Sequence, residues 1–308
     1  MHRQTILLAT LCGLLLAAPA LGQVALPSIE RNAPEWDSNL AATARYQKDA
    51  GIAAGGRFET LEFEALAWAE GPLTDNIQFN LLASYAHTHF DFTCGSPGAC
   101  FGANPWQDVH RLDLAPGASL LLTPAIRLRV SFPIRWNAEA ESNESAITAG
   151  AVVQLQWRMS STFIVGLGVG ARNELGEETS IYPALSLDWK MAPEFRLRTR
   201  GGPYRGGELA LIWSPSEVFQ GVLSAGYQRQ RFRLAGSSGA DSNGFAESTS
   251  IPLLVAIELR FSSRLKIVAE GGMAVSGELS VENAQGILLE KSDFDSAGLL
   301  RGYATFSF

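Results

Sequence analysis

Long apolar runs, histidine and cysteine are all scarce in this sequence of 308 residues. Beyond residue 22 no apolar stretch approaches the roughly 20 residues that a membrane-spanning helix needs. The chain is therefore either soluble or crosses a membrane as strands. It contains 4 histidines and 3 cysteines. There are therefore few residues from which a histidine-based catalytic centre or a cysteine-rich metal site could be built.

The first residues read MHRQTILLATLCGLLLAAPALGQ, with one Arg, an apolar run over residues 6–16 and small residues at the end. This is the pattern of a bacterial secretory signal peptide. We predict a signal peptide at 1–22, which carries away His2 and Cys12. A short N-terminal periplasmic segment at 23–36 and one domain at 37–308 follow.

The two remaining cysteines, Cys94 and Cys100, lie close together in FTCGSPGACFG. An exported protein meets an oxidising compartment, and the Gly and Pro residues between them allow the loop to close. We predict a disulfide within a loop. Two cysteines alone make a poor metal site, and we predict no metal and no cofactor.

From about residue 40 onward, apolar and polar residues alternate in segments separated by turn residues. In IRLRVSFPIRWN, for example, one face carries Ile126, Leu128 and Val130, and the other carries Arg127 and Arg129. Period two is the signature of β-strands. Apolar and polar residues alternate in this way in the strands of a soluble sandwich and of a membrane barrel. The pattern by itself therefore predicts only an all-β protein.

The connections favour the membrane barrel. Short turns (LTPAIR, MSST, MAPE, SPSEV, SSRL) alternate with longer polar segments such as NAEAESNESA and NELGEETS. Outer-membrane barrels have short periplasmic turns and long extracellular loops. We predict a transmembrane antiparallel up-and-down β-barrel at 37–308, in the bacterial outer membrane. We expect about 14 strands, the first from LAATARYQ, with about 12 as the alternative, because bacterial barrels have even numbers.

Three turns repeat one aromatic pattern: WRMSSTF, WKMAPEF and WSPSEVF. In each unit the Trp and the Phe lie on the apolar face, on either side of a tight turn. Amphipathic rings are favoured at the membrane interface. We therefore predict an aromatic girdle formed by Trp157, Phe163, Trp189, Phe195, Trp213 and Phe219.

The C-terminus, LLRGYATFSF, places Phe306 and Phe308 on one face. This ending resembles the C-terminal signature by which the barrel-assembly machinery recognises outer-membrane strands. We therefore expect Phe306 and Phe308 to act as an assembly signal.

The second half also carries SIYPALSLDWKMAPEFRLRTRGG, GYQRQRFRL and SIPLLVAIELRF. These segments resemble a family of bacterial outer-membrane β-barrels catalogued as a domain of unknown function, over roughly residues 37–308. The resemblance implies the fold and the location. It supplies no catalytic residues.

Basic residues outnumber acidic residues on the predicted inward face, whereas the whole chain has 24 Lys and Arg against 31 Asp and Glu. Acidic residues therefore concentrate in loops and turns. The inward charges either create a field inside the lumen or only pair with each other, as buried charges must. The lumen-lining candidates are Glu62, Glu64, Asp113, Arg127, Arg129, Arg135, Arg196, Arg198, Arg200, Glu258, Arg260 and Glu270.

These patterns favour a passive pore or uptake channel for small, preferentially anionic solutes. The alternative is a non-conducting structural or surface-binding barrel that acts through acidic extracellular loops. An enzyme is disfavoured: His87 and His89 have a spacing that suits a metal but lack further ligands, and no Ser lies in a nucleophile elbow. The expected partners are outer-membrane lipid, the barrel-assembly machinery and small solutes, with no nucleic acid. The oligomeric state stays open.

Overall fold

The computed structural model describes residues 36–53, 55–95, 100–101, 105–142, 144–176, 178–202, 206–237 and 242–308. The predicted signal peptide at 1–22 and nearly all of the predicted segment at 23–36 lie outside the described residues. In the part of the chain that is described, no helix is long and apolar enough to cross a membrane.

The described chain forms one sheet of 17 strands, which is antiparallel except for one parallel bridge. The strands are β1 (Asp37–Gly51), β2 (Arg57–Pro72), β3 (Ile77–Thr93), β4 (Asp108–Thr123), β5 (Ile126–Ser131), β6 (Ile134–Glu139), β7 (Ile147–Arg158), β8 (Phe163–Arg172), β9 (Ser180–Lys190), β10 (Phe195–Gly202), β11 (Gly206–Trp213), β12 (Phe219–Gly226), β13 (Gln228–Arg233), β14 (Phe245–Arg260), β15 (Leu265–Glu282), β16 (Leu288–Phe294) and β17 (Ala297–Ser307).

Pairing of the first and last strands closes this sheet into a barrel. β1 pairs with β17 from Asn39 opposite Ser307 to Gln47 opposite Leu299, and β1 also pairs with β2. Closure removes the exposed strand edges that an open sheet would leave.

Three barrel strands are interrupted. β5 and β6 both pair with β4, and Pro133, which cannot donate a ladder hydrogen bond, lies between them. In the same way, β12 and β13 both pair with β14, and β16 and β17 both pair with β15. The 17 strands thus make 17 − 3 = 14 barrel strands. The prediction of fourteen strands is confirmed, and the alternative of twelve is wrong.

The middle of the barrel has an apolar outer surface. Leu223, Val255, Ile257 and Leu300 point outward and are between 50% and 62% exposed. Polar residues at alternating positions, such as Glu258, are buried inside. An apolar exterior with a polar interior is the arrangement that a bilayer requires of a barrel, and the fold is therefore a transmembrane β-barrel.

The strands differ in height around the barrel. β8 to β12 contain 8 to 11 residues each, about the 9–11 residues that cross a bilayer. We call these strands the low wall. β2, β3, β4, β14 and β15 contain 16 to 18 residues and therefore rise above the low wall on the extracellular side.

Above the low wall, β6 and β13 come together from opposite sides. Arg233 pairs in parallel with Ala138, and Asn137 Nδ2 donates a hydrogen bond to the Arg231 carbonyl oxygen at 2.7 Å. The extracellular parts of β1–β4, β6 and β13–β16 thereby form a narrower barrel, the upper barrel. We call the fourteen-stranded part beneath it the lower barrel.

Polarity reverses between these two parts. In β3, the inward residues Gln78 and Asn80 of the lower barrel are polar, whereas the inward residues Phe90 and Phe92 of the upper barrel are aromatic. The upper barrel thus has an apolar interior, as soluble barrels do. Its core contains an aromatic plug made of Phe58, Phe90, Phe92, Phe101, Trp106, Phe232 and Phe294.

Candidate functional site: the barrel lumen

The structure places the lumen-lining candidates at inward positions of the lower barrel. The buried members are Glu62, Glu64, Asp113, Arg127, Arg135, Glu258 and Glu270. Partly exposed members are Arg129, Arg196, Arg198 and Arg200, and of these Arg198 and Arg200 line the cavity described below. Arg260 is exposed at the periplasmic end of β14.

One side of the lumen contains a buried ion-pair cluster on β2, β4 and β6. The Arg111 guanidinium lies 3.5 Å from Glu62, 3.7 Å from Glu64 and 3.3 Å from Asp113. Arg135 Nε donates to Asp113 Oδ1 at 2.6 Å. No side chain of this cluster is more than 10% exposed. Here the charges pair with each other and join β2, β4 and β6 across the intervening β3.

On the opposite side, the three arginines of β10 share two carboxylates. Arg196 Nη2 lies 2.5 Å from Asp188 Oδ2, and Arg198 Nε lies 3.8 Å from the same oxygen. Arg200 Nη1 lies 3.7 Å from Glu208 Oε1. Three positive charges against two negative ones leave this face of the lumen basic.

Arg129 adds to this basic excess from across the lumen. It lies within electrostatic range of Glu70, Arg127 and Arg198, and it forms no ion pair among the residues that the structure describes. Glu70 was missed by the sequence analysis, although it lies on the inward alternation of β2. Arg127 and Arg129 lie within electrostatic range of Glu70, as does Asp37, and with Arg198 beside Arg129 they favour anions, because low-dielectric walls strengthen the field in the space between them.

A cavity of about 540 Å³ runs along the side of the lumen formed by β1, β2 and β17. Its lining begins at Asn39 and Thr305, near the periplasmic ends of β1 and β17, and reaches Phe58 and Phe90 beneath the aromatic plug. On the low-wall side it extends to Tyr227. The lower barrel therefore encloses open space along most of its height.

The aromatic plug closes the lumen at its extracellular end. Trp106 is fully buried at its centre, with ring centroids 5.0 Å from Phe92, 5.7 Å from Phe232 and 6.0 Å from Phe90. Trp106 lies in the described segment 105–107, which precedes β4. It folds into the upper barrel because its aromatic side chains bury against the inward residues of β3 and β13.

The predicted disulfide between Cys94 and Cys100 is present. It belongs to the same core, because Cys100 is fully buried and its Sγ lies 3.3 Å from the Gly55 carbonyl oxygen. The disulfide therefore anchors a segment of the plug, where the sequence alone suggested a simple surface loop.

His87 and His89 point outward, away from the lumen, at the level of the upper barrel. Both donate or accept a hydrogen bond at 2.9 Å with Asp108 Oδ1, and His87 stacks on His110. The hydrogen bonds from His89 and His87 hold the pKa of the Asp108 carboxyl below its usual value. Among the described residues, no group of three or more His, Cys, Asp or Glu side chains is arranged to hold a metal ion.

The aromatic girdle candidates lie on the outer surface beside the short turns. Phe163 packs edge-on against Trp189 with ring centroids 6.0 Å apart, and Trp213 packs in the same way against Phe219. Phe195 is paired with Trp213 across neighbouring strands. Trp157 is 53% exposed on the same surface. These rings are positioned to contact the periplasmic interface of the bilayer.

Phe306 and Phe308 lie at the end of the closing strand, with ring centroids 5.0 Å apart. Phe308 is 65% exposed, and its backbone N–H donates to the Ser38 carbonyl oxygen at 3.0 Å. Its role as an assembly signal stays a prediction.

Comparison with known proteins gave no matching family model and no matching curated protein. Among solved structures, this chain is similar to an outer membrane channel from Pseudomonas putida F1, with 11% identity over 92% of this chain and 99% of the other and a TM-score of 0.46. It is also similar to the Pseudomonas putida toluene transporter TodX (8% identity, 94% and 95% covered, TM-score 0.41) and to the KdgM porin in complex with oligogalacturonate (7% identity, 87% and 99% covered, TM-score 0.34).

Proposed function

We propose that this protein is a passive channel of the bacterial outer membrane for small solutes, with a preference for anions. The observation that carries the proposal is the cavity that begins at the periplasmic rim and continues to the base of the aromatic plug. A barrel with a purely structural interior needs no open space of this extent, since side chains can fill a small barrel completely.

The anion preference is supported by the unequal pairing of charge. The cluster around Arg111 joins two arginines to three carboxylates and is not basic, whereas the arginines of β10 and Arg129 outnumber Asp188, Glu208 and Glu70. A solute that carries a carboxylate would meet this basic face in the middle of the lumen. No catalytic residue or cofactor enters the proposal.

Single-channel recording in planar bilayers tests the proposal. We expect discrete conductance steps and, across a salt gradient, a reversal potential that indicates anion preference. Changing Arg196, Arg198 and Arg200 together to Gln should shift that potential toward cations without loss of the folded barrel. Conductance with cation preference in the unmodified protein would contradict the anion assignment.

A matched control removes the same amount of charge outside the lumen. Lys48, Arg57 and Lys291 are exposed on the outer side of the upper barrel. Their joint replacement by Gln should leave the reversal potential nearly unchanged, because exposed charges are screened by salt over about 10 Å. An equal shift in both triple variants would show that selectivity depends on total charge and not on the lumen.

A second candidate is a non-conducting barrel that binds partners at its extracellular end. The specific observation in its favour is the aromatic plug, which closes the barrel axis. Absence of any conductance from correctly folded protein would support this candidate and would exclude the channel.

A further inference from the structure

The aromatic plug closes the barrel axis, so a solute in the lumen needs another route to the extracellular side. The lumenal cavity reaches the wall of the barrel where β12 leaves the low wall and continues as β13 into the upper barrel. We call the residues at this bend, Gly226, Tyr227 and Gln228, the shoulder. All three line the lumenal cavity, together with Gly206 and Gly207 of the neighbouring strand.

The wall beside the shoulder is built largely from glycine. Gly207 is paired with Gly201, and Gly206 with Gly202. Gly206 has a φ of 97°, and a Cβ at this position would overlap the Tyr227 carbonyl oxygen. Beside the shoulder the wall therefore consists of backbone, and these glycines contribute no side chains that would have to move if it opened.

Above the shoulder lies the segment that connects β8 and β9, which reaches across to β13. Glu174 Oε1 lies 3.4 Å from Arg229 Nη1, and Arg231 Nε donates to the Leu175 carbonyl oxygen at 2.7 Å. Arg229 Nη2 also lies 2.7 Å from Glu247 Oε2. We call the contact between Glu174 and Arg229 the latch.

The latch and the plug are held by different forces. The plug is held by buried aromatic rings, which leave cavities behind if they separate. The latch is a single ion pair at 3.4 Å; if it parts, Glu174 keeps Arg172 at 2.7 Å and Arg229 keeps Glu247 at 2.7 Å, so neither charge is left without a partner. Arg229 also lines the cavity, so the latch stands at the boundary between the lumen and the extracellular side.

We infer that solutes pass between the lumen and the extracellular side at the shoulder, beneath the segment that connects β8 and β9, and not through the aromatic plug. This inference rests on the proposed channel function. It assigns the shoulder as the exit of the pore and the Glu174–Arg229 latch as the contact that limits its opening.

Site-directed thiol labelling tests the exit. The two cysteines of residues 37–308 are joined in a disulfide, so a single new cysteine is the reactive thiol. We expect a bulky methanethiosulfonate reagent, added from the extracellular side, to abolish most of the conductance of Tyr227→Cys. Lys48→Cys is the control: Lys48 is exposed on the outer side of the upper barrel, on β1, which is separated from β13 by β14, β15 and β16, and its labelling should leave the conductance unchanged.

A second pair of variants separates the two routes without labelling. Glu174→Ala should increase the conductance or the open fraction, because it removes the latch, whereas Phe232→Ala in the plug should leave both unchanged. Conductance that persists after complete labelling of Tyr227→Cys, or that rises with Phe232→Ala and not with Glu174→Ala, would overturn the shoulder exit while the channel function stands. A wild-type protein that never conducts would overturn both.

Discussion

The lower and upper barrels share the same strands but bury opposite kinds of side chain. Glu62 and Glu64 of β2 point into the lower lumen, whereas Phe58 on the same face of the same strand points into the aromatic plug. The outer surface of β2 has the opposite order of polarity. The apolar Phe63 is exposed at the level of the membrane, and the charged Arg57 is exposed above the membrane. Each face takes its polarity from the medium that it meets at that height.

The two parts also differ in how they are stabilised. The upper barrel excludes water and depends on aromatic packing, which adds to the free energy of burial. The lower barrel encloses a cavity, and its interior depends on ion pairs that join neighbouring strands, such as Arg301 with Glu270. We therefore expect the two parts to respond differently to the same class of substitution.

The largest effect is expected from Trp106→Ala in the plug. Trp106 is fully buried, and truncation of a large buried aromatic residue costs about 3–5 kcal/mol. Hydrogen exchange should show the loss of protection in the upper barrel, with the strands of the low wall unaffected. Trp189→Ala, at a membrane-facing position that is 42% exposed, is the control and should cost clearly less. Equal losses would contradict a distinct core in the upper barrel.

A smaller effect is expected from Asp113→Asn in the lower barrel. This change weakens the charge interactions of Asp113 with both Arg111 and Arg135. Removing one partner of a buried pair costs about 3 kcal/mol, and water in the lumen should keep the loss at or below that value. Denaturant unfolding in detergent measures this loss of stability.

Asp49→Asn is the control, because it removes an exposed ion pair with Arg57. It should change the free energy of unfolding by about 0.5 kcal/mol or less. A loss as large as that of Asp113→Asn would show that burial of the ion pair does not matter here.

The smallest effect is expected from joint replacement of Cys94 and Cys100 by Ser. Opening such a short loop costs about 2 kcal/mol in the chain-entropy model, and the loss should be confined to the upper barrel because Cys100 lies in the plug. Limited proteolysis of the segment before Trp106 should become faster, while conductance stays unchanged. Unchanged proteolysis would mean that the aromatic contacts alone hold this segment.

The sequence was sufficient for the lower barrel because a bilayer enforces strict alternation there. Segments such as IRLRVSFPIRWN therefore predicted the strands, the inward residues and the strand number. The ion-pair partners could not be predicted, because alternation gives the face of a residue but not its register. Arg111 contacts Glu62 only because β3 places β2 and β4 at matching heights.

The upper barrel was not predicted because its strands place polar residues outside and apolar residues inside, which is the reverse of the alternation in the membrane-spanning part. In the segment YAHTHFDFT the polar residues His87, His89 and Asp91 face outward, while Phe90 and Phe92 face inward. Judged by the membrane alternation, HFDFT at the end of this segment predicts the start of a polar loop. The pairing of β6 with β13 could not be predicted either. It consists of a single bridge between Ala138 and Arg233, which are distant in sequence.

The most direct test of this two-part structure is a measurement of water access by hydroxyl-radical footprinting in lipid nanodiscs. Tyr227 and Tyr303 line the cavity of the lower barrel, whereas Trp106 and Phe232 lie in the aromatic plug. The structure predicts rapid oxidation of the two tyrosines and protection of Trp106 and Phe232. Oxidation of the plug residues as fast as the tyrosines, or protection of all four, would contradict a wet lumen beneath a dry extracellular core.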